Sequence, residues 1–249
     1  NKNLRGYFDL GIISNYITTG TIDVQQFETL VNVVKLWKDY PNFKTITISG
    51  TTYLDSGANQ VQEIAYTLNS LVYLIEQCLD RDLNVQSVFN SLHVQLAIGS
   101  EYFVEIGKFR AFNSLLHEIA KKYGVKDFKH ALTAKTSIWS KSVTDAETNI
   151  LRCTTEAMSA ATSGVHSIAI LPYDMYSSNG TSVLAQRMAI NISTILKEES
   201  YLAKVVDPLG GSYSIESLTD QIAMKSWELF QELDANESVF DESTRNELF

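Results

Sequence analysis

Two hydrophobic periods alternate along this chain. Apolar residues spaced three and four apart predict amphipathic helices, whereas short alternating or β-branched runs predict strands. Helical periodicity covers residues 24–37, 61–79, 85–89, 102–120, 145–164, 184–196 and 219–233. Strand-like runs cover residues 4–10, 45–49, 92–98, 130–136 and 165–171. Because helices separate these strands, the pattern predicts a parallel α/β fold.

Two segments lack both periods. Residues 12–20 form a polar stretch that we expect to be a loop, and residues 51–57 follow a strand as a second expected loop. The sequence has no internal repeat and no Pro- or Ser-rich linker. Periodicity alone leaves two architectures open, a doubly wound open sheet and a (β/α) barrel.

The stretch of residues 149–219 carries a resemblance. It contains ILRCTTEAMSAATSGVHSIAILPYD and then LKEESYLAKVVDPLGGSYSIESLT. With EES, DPxGGSY and ExLT at this spacing, it resembles the acyl-CoA mutase barrel of the methylmalonyl-CoA mutase family, and the resemblance runs from about Gly6 to about Asp234. Within that family, SIAILPYD is similar to the non-catalytic small subunit, because the histidine of the catalytic subunit's segment falls on Ala169.

The resemblance implies a TIM-type (β/α) barrel that is only partly present. The family barrel has eight strands, and this chain matches about the last five. We therefore expect a partial barrel domain over residues 1–233, an acidic C-terminal tail over residues 234–249, and no cobalamin-binding domain with its DxHxxG motif. Since the sequence begins with Asn1 rather than Met, we expect a fragment or a trimmed product. The open edges of the first and last strands could pair with another polypeptide or with a second copy.

Reactive side chains in a barrel lie at the C-terminal ends of its strands. By the resemblance, a substrate-binding histidine of the catalytic relatives falls on Thr52, and their next histidine and glutamine fall on Thr133 and Lys135. Together with Ala169, these positions have lost the family's reacting groups, so we expect no catalytic residue. The arginine that grips the substrate carboxylate falls near Asn15, whose amide cannot bind a carboxylate as a guanidinium fork does.

Lys135 is a charged residue at this rim where, by the resemblance, the catalytic relatives have glutamine. It can pair with an acid of the core, which is the interpretation we favour, or it can hold a substrate carboxylate. In the second case Thr51, Thr52 and Lys135 would form a changed pocket, and the chain would be an active mutase for another acyl-CoA.

Three histidines allow a different interpretation. His93, His130 and His166 lie on or beside successive predicted strands, and a metal-dependent barrel hydrolase could use them as metal ligands. However, they lie near the N-terminal ends of their strands, where barrels keep stabilising residues, and no HxH or HExxH spacing is present. We therefore predict core or rim histidines and no metal site, and we expect His117, on a helix, at the surface.

The other candidate motifs have structural interpretations. Gly210 and Gly211 in DPLGGSY could cradle a phosphate, but GxGxxG and a P-loop lysine are absent, so we predict a tight turn. Glu198 and Glu199 are adjacent on a helix and therefore point in different directions. Four more residues are expected to be structural: Arg110 and Arg152 as salt-bridge formers, and Cys78 and Cys153 as reduced core thiols.

Composition narrows the possible partners. The net charge of −9 argues against nucleic acid and anionic membranes, and a hydrophobic fraction of 45% can supply a sizeable core. No apolar run approaches the ~20 residues needed to cross a bilayer, and no signal peptide is visible, so we expect a cytoplasmic protein.

With the resemblance, these features imply a supporting role in an isomerase. The chain would belong to the non-catalytic small subunit of a heterodimer, whose catalytic large subunit interconverts succinyl-CoA and methylmalonyl-CoA with adenosylcobalamin. The chain itself is expected to bind no cofactor.

Overall fold

The computed structural model describes residues 3–178 and 180–235. The strands are β1 (Gly6–Tyr7), β2 (Phe43–Lys44), β3 (Ile46–Ser49), β4 (Leu92–Ile98), β5 (Ala131–Thr136) and β6 (Ser167–Ala169). The helices are α1 (Ile12–Thr19), α2 (Val24–Leu36), α3 (Thr51–Asp55), α4 (Gln60–Leu79), α5 (Val85–Asn90), α6 (Tyr102–Lys122), α7 (Thr148–Thr162), α8 (Val183–Glu198) and α9 (Tyr213–Ala235). The prediction of an α/β fold is confirmed. The expected tail falls on α9 up to Ala235, and its remainder lies outside the described residues.

The strands run parallel, and neighbouring strands follow the order of the chain. β1 pairs with β2, and a four-stranded sheet has the order β3-β4-β5-β6. Thr45 alone separates β2 from β3. Beyond β1, Phe8 N donates to Lys44 O at 2.8 Å and Thr47 Oγ1 donates to Phe8 O at 2.8 Å, so the first strand lies beside both β2 and β3.

Three predicted strands are shorter than expected. Within residues 4–10 only Gly6–Tyr7 forms a strand, and within 165–171 only Ser167–Ala169 does. The strand predicted at 45–49 begins at Ile46, because the amides of Thr45 and Ile46 both donate to Ser91 O at 3.0 Å and interrupt the ladder.

The loop prediction for residues 12–20 is wrong, because this segment contains α1. Ile12, Ile13 and Tyr16 of this short helix are buried, and Gly11 and Gly20 bound it with φ angles of 65° and 74°. Eight residues are too few for a clear apolar period. Its polar residues also bond locally, since Thr18 and Thr19 hydroxyls donate to backbone carbonyls one turn earlier, which a polar composition does not reveal.

Two further boundaries differ from the prediction. The expected loop at 51–57 contains the single-turn helix α3, whose backbone is continuous with the end of β3 through Gly50. The last helix begins at Tyr213 rather than at residue 219, so it follows directly after the glycine turn.

The sheet buries one apolar face against helices. Along each strand successive side chains alternate between the faces, and the even-numbered positions form the apolar face. α4 contacts β3, α7 contacts β4 and β5, and α9 packs across α4 and α6. The buried side chains of this face are Ile46, Ile48, Leu92, Val94, Leu96, Ile98, Leu132 and Ala134.

The strand series is open within the described residues. In residues 3–178 and 180–235, β6 pairs with β5 alone, and no strand pair joins β6 to β1. No helix in the same ranges is both long and apolar enough to cross a membrane.

Candidate functional site

The opposite face of the sheet is polar and forms the candidate site. Register places Thr47 beside His93, Thr133 between Gln95 and Ser167, and Lys135 between Ala97 and Ala169. Residues in register on parallel strands share a face, so these side chains lie together on the side away from the helices. The polar strand face consists of Thr47, Ser49, His93, Gln95, Thr133, Lys135 and Ser167.

A chain of hydrogen bonds crosses this face from β3 to β6. Thr47 Oγ1 lies 3.2 Å from His93 Nδ1, and His93 Nε2 lies 2.8 Å from Thr133 Oγ1. Thr133 Oγ1 lies 2.6 Å from Ser167 Oγ. Tyr7 covers the imidazole, since the two rings stack at a centroid distance of 3.8 Å and an angle of 16°. The side chains of the polar strand face thus supply part of one another's hydrogen bonds.

His93 is held in its neutral form by this environment. Burial, with a smaller contribution from the nearby His166, lowers the pKa of its imidazole to about 4. The side chain is 0% exposed, so a charged imidazolium would lose its hydration. A neutral imidazole has one donor and one acceptor nitrogen, which suits a ring that bridges two hydroxyls.

The C-terminal rim of the sheet holds Thr51 and Thr52. Thr51 is buried, and its Oγ1 lies 2.8 Å from Ser49 Oγ, while Thr52 is half-buried in α3. Asp55 at the end of α3 accepts from Ser137 Oγ at 2.7 Å and from Ile138 N at 3.0 Å. This carboxylate therefore ties the segment after β3 to the segment after β5.

Lys135 and Ala169 lie side by side at the same rim. They are register partners on β5 and β6, and both are half-buried. Among the ion pairs of residues 3–178 and 180–235, none includes Lys135, so the pairing with a core acid that we favoured is not found there. Asn15 lies in α1.

His130 and His166 lie at the other end of the strands, as predicted. With His117 they line a cavity of about 610 Å³ that Arg5 and Lys44 also border. Burial and the neighbouring cations lower the pKa of His130 to about 4. The rings of His117 and His166 stand 5.8 and 5.5 Å from that of His130. His117 is exposed, as expected.

The three strand histidines do not form a metal centre. Within the described part of the chain, no group of three or more His, Cys, Asp or Glu is placed to hold a metal ion. His93 is engaged with two hydroxyls on the polar strand face, whereas His130 and His166 border the cavity. The three histidines are therefore not brought together as one ligand set in these residues.

The structural interpretations of the other motifs mostly hold. Gly211 has a φ of 80° and Gly210 N donates to Asp207 O at 3.1 Å, which confirms the turn. Arg110 forms ion pairs with Asp207 and with Glu216, so its prediction is confirmed. The prediction for Arg152 is wrong, because its Nη1 donates to the amide oxygen of Asn149 at 2.9 Å. Cys78 and Cys153 are both free and buried, as expected.

Sequence reasoning missed two groups of buried charges behind the sheet. Lys108 contacts Glu63 and Glu105, and Lys141 contacts Glu156. Four of these residues lie in helices whose apolar period predicts a helix but not a buried charge, and Lys141 lies in a loop. The only available signal was a charged residue at a core position of the helical period, such as Glu63 next to Ile64.

Comparison with known proteins identifies the family. The sequence profile described as methylmalonyl-CoA mutase matches residues 1–241. The chain belongs to the methylmalonyl-CoA mutase family. This confirms the resemblance seen in the sequence, and the family is one of isomerases.

Individual relatives of this chain include proteins named methylmalonyl-CoA mutase small subunit and a protein named methylmalonyl-CoA mutase. It is 37% identical over 200 residues to the methylmalonyl-CoA mutase small subunit of Porphyromonas gingivalis, covering 78% of this chain and 32% of that protein. It is 33% identical over 199 residues to the small subunit of Streptomyces virginiae, with coverage of 78% and 32%. It is 38% identical over 204 residues to the methylmalonyl-CoA mutase of Cereibacter sphaeroides, with coverage of 80% and 28%. The chain thus spans about a third of the length of these relatives.

The mutase family implies cobalamin use in the complex, so the fit of this chain to that cofactor can be tested. Residues that held this cofactor at the C-terminal rim would be expected to include an imidazole, a nitrogen ligand that suits transition metals. The four histidines of the chain are His93, His117, His130 and His166, and none lies at the C-terminal rim beside Thr52 and Lys135. The described residues at this rim therefore offer no imidazole to such a cofactor.

Proposed function

We propose that this chain is part of the non-catalytic small subunit of an adenosylcobalamin-dependent methylmalonyl-CoA mutase. The complex would isomerise succinyl-CoA and methylmalonyl-CoA, with chemistry carried out by a catalytic large subunit. This chain would stabilise a heterodimer with that subunit rather than react itself.

The state of Thr133 carries the proposal. Its hydroxyl lies 2.8 Å from His93 Nε2 and 2.6 Å from Ser167 Oγ, and its side chain is 2% exposed. A hydroxyl that is already bonded on both sides cannot replace the hydrogen-bond donor that, by the resemblance, a histidine supplies at this position in the catalytic relatives. Ala169 carries no functional group at all, which supports the same conclusion.

The finer architecture is also a proposal. Parallel strands whose neighbours follow chain order, with successive helices on one face, favour part of a (β/α) barrel over a doubly wound sheet. We infer that this chain supplies about the last five of eight strands over residues 1–233. The open edges at β1 and β6 would be covered by further strands or by self-association.

Cofactor and compartment follow from the same proposal. Adenosylcobalamin would be held by other parts of the complex, because this chain has no suitably placed histidine. Two buried free cysteines suit the reducing cytoplasm, which is where we place the complex.

The direct test is assembly with the large subunit. The full-length protein, tagged, is co-expressed with an untagged large subunit, purified by the tag, and weighed by native mass spectrometry. We expect a one-to-one heterodimer that withstands size-exclusion chromatography. A full-length protein that never retains the large subunit, although both are folded, would contradict the proposal.

One observation favours a second function, an active mutase for another acyl-CoA. The ammonium group of Lys135 forms no ion pair among the described residues, so it is able to receive the carboxylate of a substrate near Thr51 and Thr52. This function predicts that Lys135→Met weakens acyl-CoA binding by the full-length protein. The small-subunit proposal predicts no acyl-CoA binding that depends on Lys135.

A further inference from the structure

The end of β4 is completed by side chains instead of a strand. β3 ends at Ser49, and the last ladder bond from this segment runs from Gly50 N to Gln95 O at 2.8 Å. The backbone groups of Ala97 point toward the same side as those of Gln95 and have no strand partner there. Ala97 N donates to Glu63 Oε1 at 2.7 Å, and Lys108 Nζ donates to Ala97 O at 2.7 Å.

The side chains that make this cap form a buried cluster of unequal charge. Lys108 Nζ lies 2.7 Å from Glu63 Oε2 and 2.6 Å from Glu105 Oε2. Gln60 Nε2 donates to the other Glu105 oxygen at 3.1 Å. The side chains of Glu63, Glu105 and Lys108 are all 0% exposed, so two carboxylates share one ammonium away from water.

Among the described residues, the surrounding helices do not supply the missing positive charge, and α9, which packs across α4 and α6, buries only uncharged side chains. α4 contributes Glu63, α6 contributes Glu105 and Lys108, and α7 contributes Glu156. Glu156 already has its own partner, Lys141, with Nζ 2.6 Å from Oε2. Taking up a proton costs less free energy than burying an uncompensated carboxylate.

We propose that the cluster of Glu63, Glu105 and Lys108 holds one additional proton on a carboxyl group at neutral pH, and that this proton makes the cluster a pH-sensitive brace beneath the C-terminal rim. Ala97 is the register partner of Lys135, and Gly50 leads directly into Thr51. Loss of the proton would leave two buried carboxylates facing each other across one ammonium and weaken the support of this rim. The inference does not depend on the proposed function.

The electrostatics of the individual groups agree with this geometry. The pKa of Glu63 is raised to about 7. Burial is the main cause and the charge of Glu105 adds to it, whereas Lys108 acts in the opposite direction. Burial acts to lower the pKa of Lys108, but the two carboxylates outweigh burial and raise it. The ammonium therefore keeps its charge, and the additional proton belongs to a carboxyl group. Because the Glu63 pKa lies above the unfolded value of 4.5, its contribution to stability is complete below that value and is lost as the pH rises through about 7.

Proton release on unfolding tests the proposal. It is measured by calorimetry at pH 6 in buffers of different ionisation enthalpy for the full-length protein, Glu63→Gln and Glu105→Gln. Glu118→Gln, an exposed position on α6, is the matched control. His93 and His130 take up protons on unfolding at this pH in all four proteins, so the difference between proteins isolates the cluster.

We expect wild type and Glu118→Gln to release about one proton more than either buried variant. Equal proton release by all four proteins would overturn the proposal. Should neither buried variant fold, infrared spectroscopy of the wild type decides the question. A protonated carboxyl band that is present at pH 6 and lost by pH 9 is expected, and its absence at pH 6 would refute the inference.

Discussion

His93 Nε2 lies 2.8 Å from Thr133 Oγ1, so a buried imidazole and a buried hydroxyl join β4 to β5 on the polar face of the sheet. This contact occupies the position at which the catalytic relatives are expected to carry a histidine. The chain thus uses a candidate reactive position to connect its own strands. The side chain of Thr133 therefore stabilises the sheet and is not free to contact a substrate.

Replacing Thr133 by Val should destabilise the fold without changing its shape. Valine has the volume of threonine but cannot bond to His93 or Ser167, so the buried imidazole of His93 and the exposed hydroxyl of Ser167 each lose a partner. We expect the free energy of unfolding to fall by about 1–3 kcal/mol in urea titrations. Thr29→Val on the exposed side of α2 is the control and should change it by less than about 0.5 kcal/mol. Equal stabilities of the two variants would contradict the importance of the hydrogen-bond chain.

His93 should make the fold sensitive to acid. Its folded pKa of about 4 lies below the usual 6.5, so the unfolded state binds more protons between these values. Stability should therefore decrease as the pH falls from about 6.5 to about 4, by on the order of 2 kcal/mol for this residue. Denaturant titrations at pH 7 and pH 4.5 should show a smaller difference for His93→Gln than for wild type. His117→Gln, at an exposed position, should behave as wild type; an undiminished pH effect in His93→Gln would refute the assignment.

The long helices could be predicted from the sequence because their apolar residues recur at helical spacing over several turns. α4 has buried residues at Ile64, Leu68, Leu71 and Ile75, which is a helical period over several turns. α1 and α3 could not be predicted, because helices of eight and five residues give the period too few positions. Strand ends were uncertain for a related reason, since Ser91 O interrupts the ladder at Thr45 through a contact that is distant in sequence.

For the candidate site, the sequence indicates which positions belong to it but not the hydrogen bonds between them. The resemblance indicates Thr52, Thr133, Lys135 and Ala169, and the structure shows that the last two are register partners. The bond from Thr133 to His93 spans 40 residues and depends on the register of two strands, which no local pattern encodes. The buried Glu63–Lys108 pair is likewise distant in sequence, its members being 45 positions apart.

A methyl group at Gly50 should disturb the rim. A Cβ atom there would lie 2.2 Å from Thr67 Oγ1 and 2.8 Å from Leu96 Cδ2, while the φ of −82° is ordinary for any residue. Gly50→Ala should therefore lower the free energy of unfolding by about 1–3 kcal/mol through overpacking alone. Adding Thr67→Ala removes the closer contact and should restore part of that loss. A double variant no more stable than Gly50→Ala would show that the close contact with Thr67 is not the cause.

Arg110 should hold the glycine turn against α6. Its guanidinium pairs with Asp207 and, at 2.8 Å, with Glu216, whose carboxylate also accepts from Gly211 N at 3.0 Å. A lysine cannot reach both acids with a planar fork, so Arg110→Lys should lose about 1 kcal/mol of stability. Hydrogen exchange at the Gly211 amide should become faster. Arg81→Lys, which affects a pair with the exposed Glu28, should leave that amide unchanged; equal exchange in both variants would argue against this role.

Mutase turnover tests the central claim most directly. The full-length protein is assembled with a large subunit whose own rim histidines have been replaced, and the complex is supplied with adenosylcobalamin and methylmalonyl-CoA. A polar strand face without reacting groups predicts no succinyl-CoA above background, whereas the same protein with the intact large subunit turns over. Succinyl-CoA formation by the complex with the disabled large subunit would contradict the claim that this chain stabilises the complex but carries no catalytic residues.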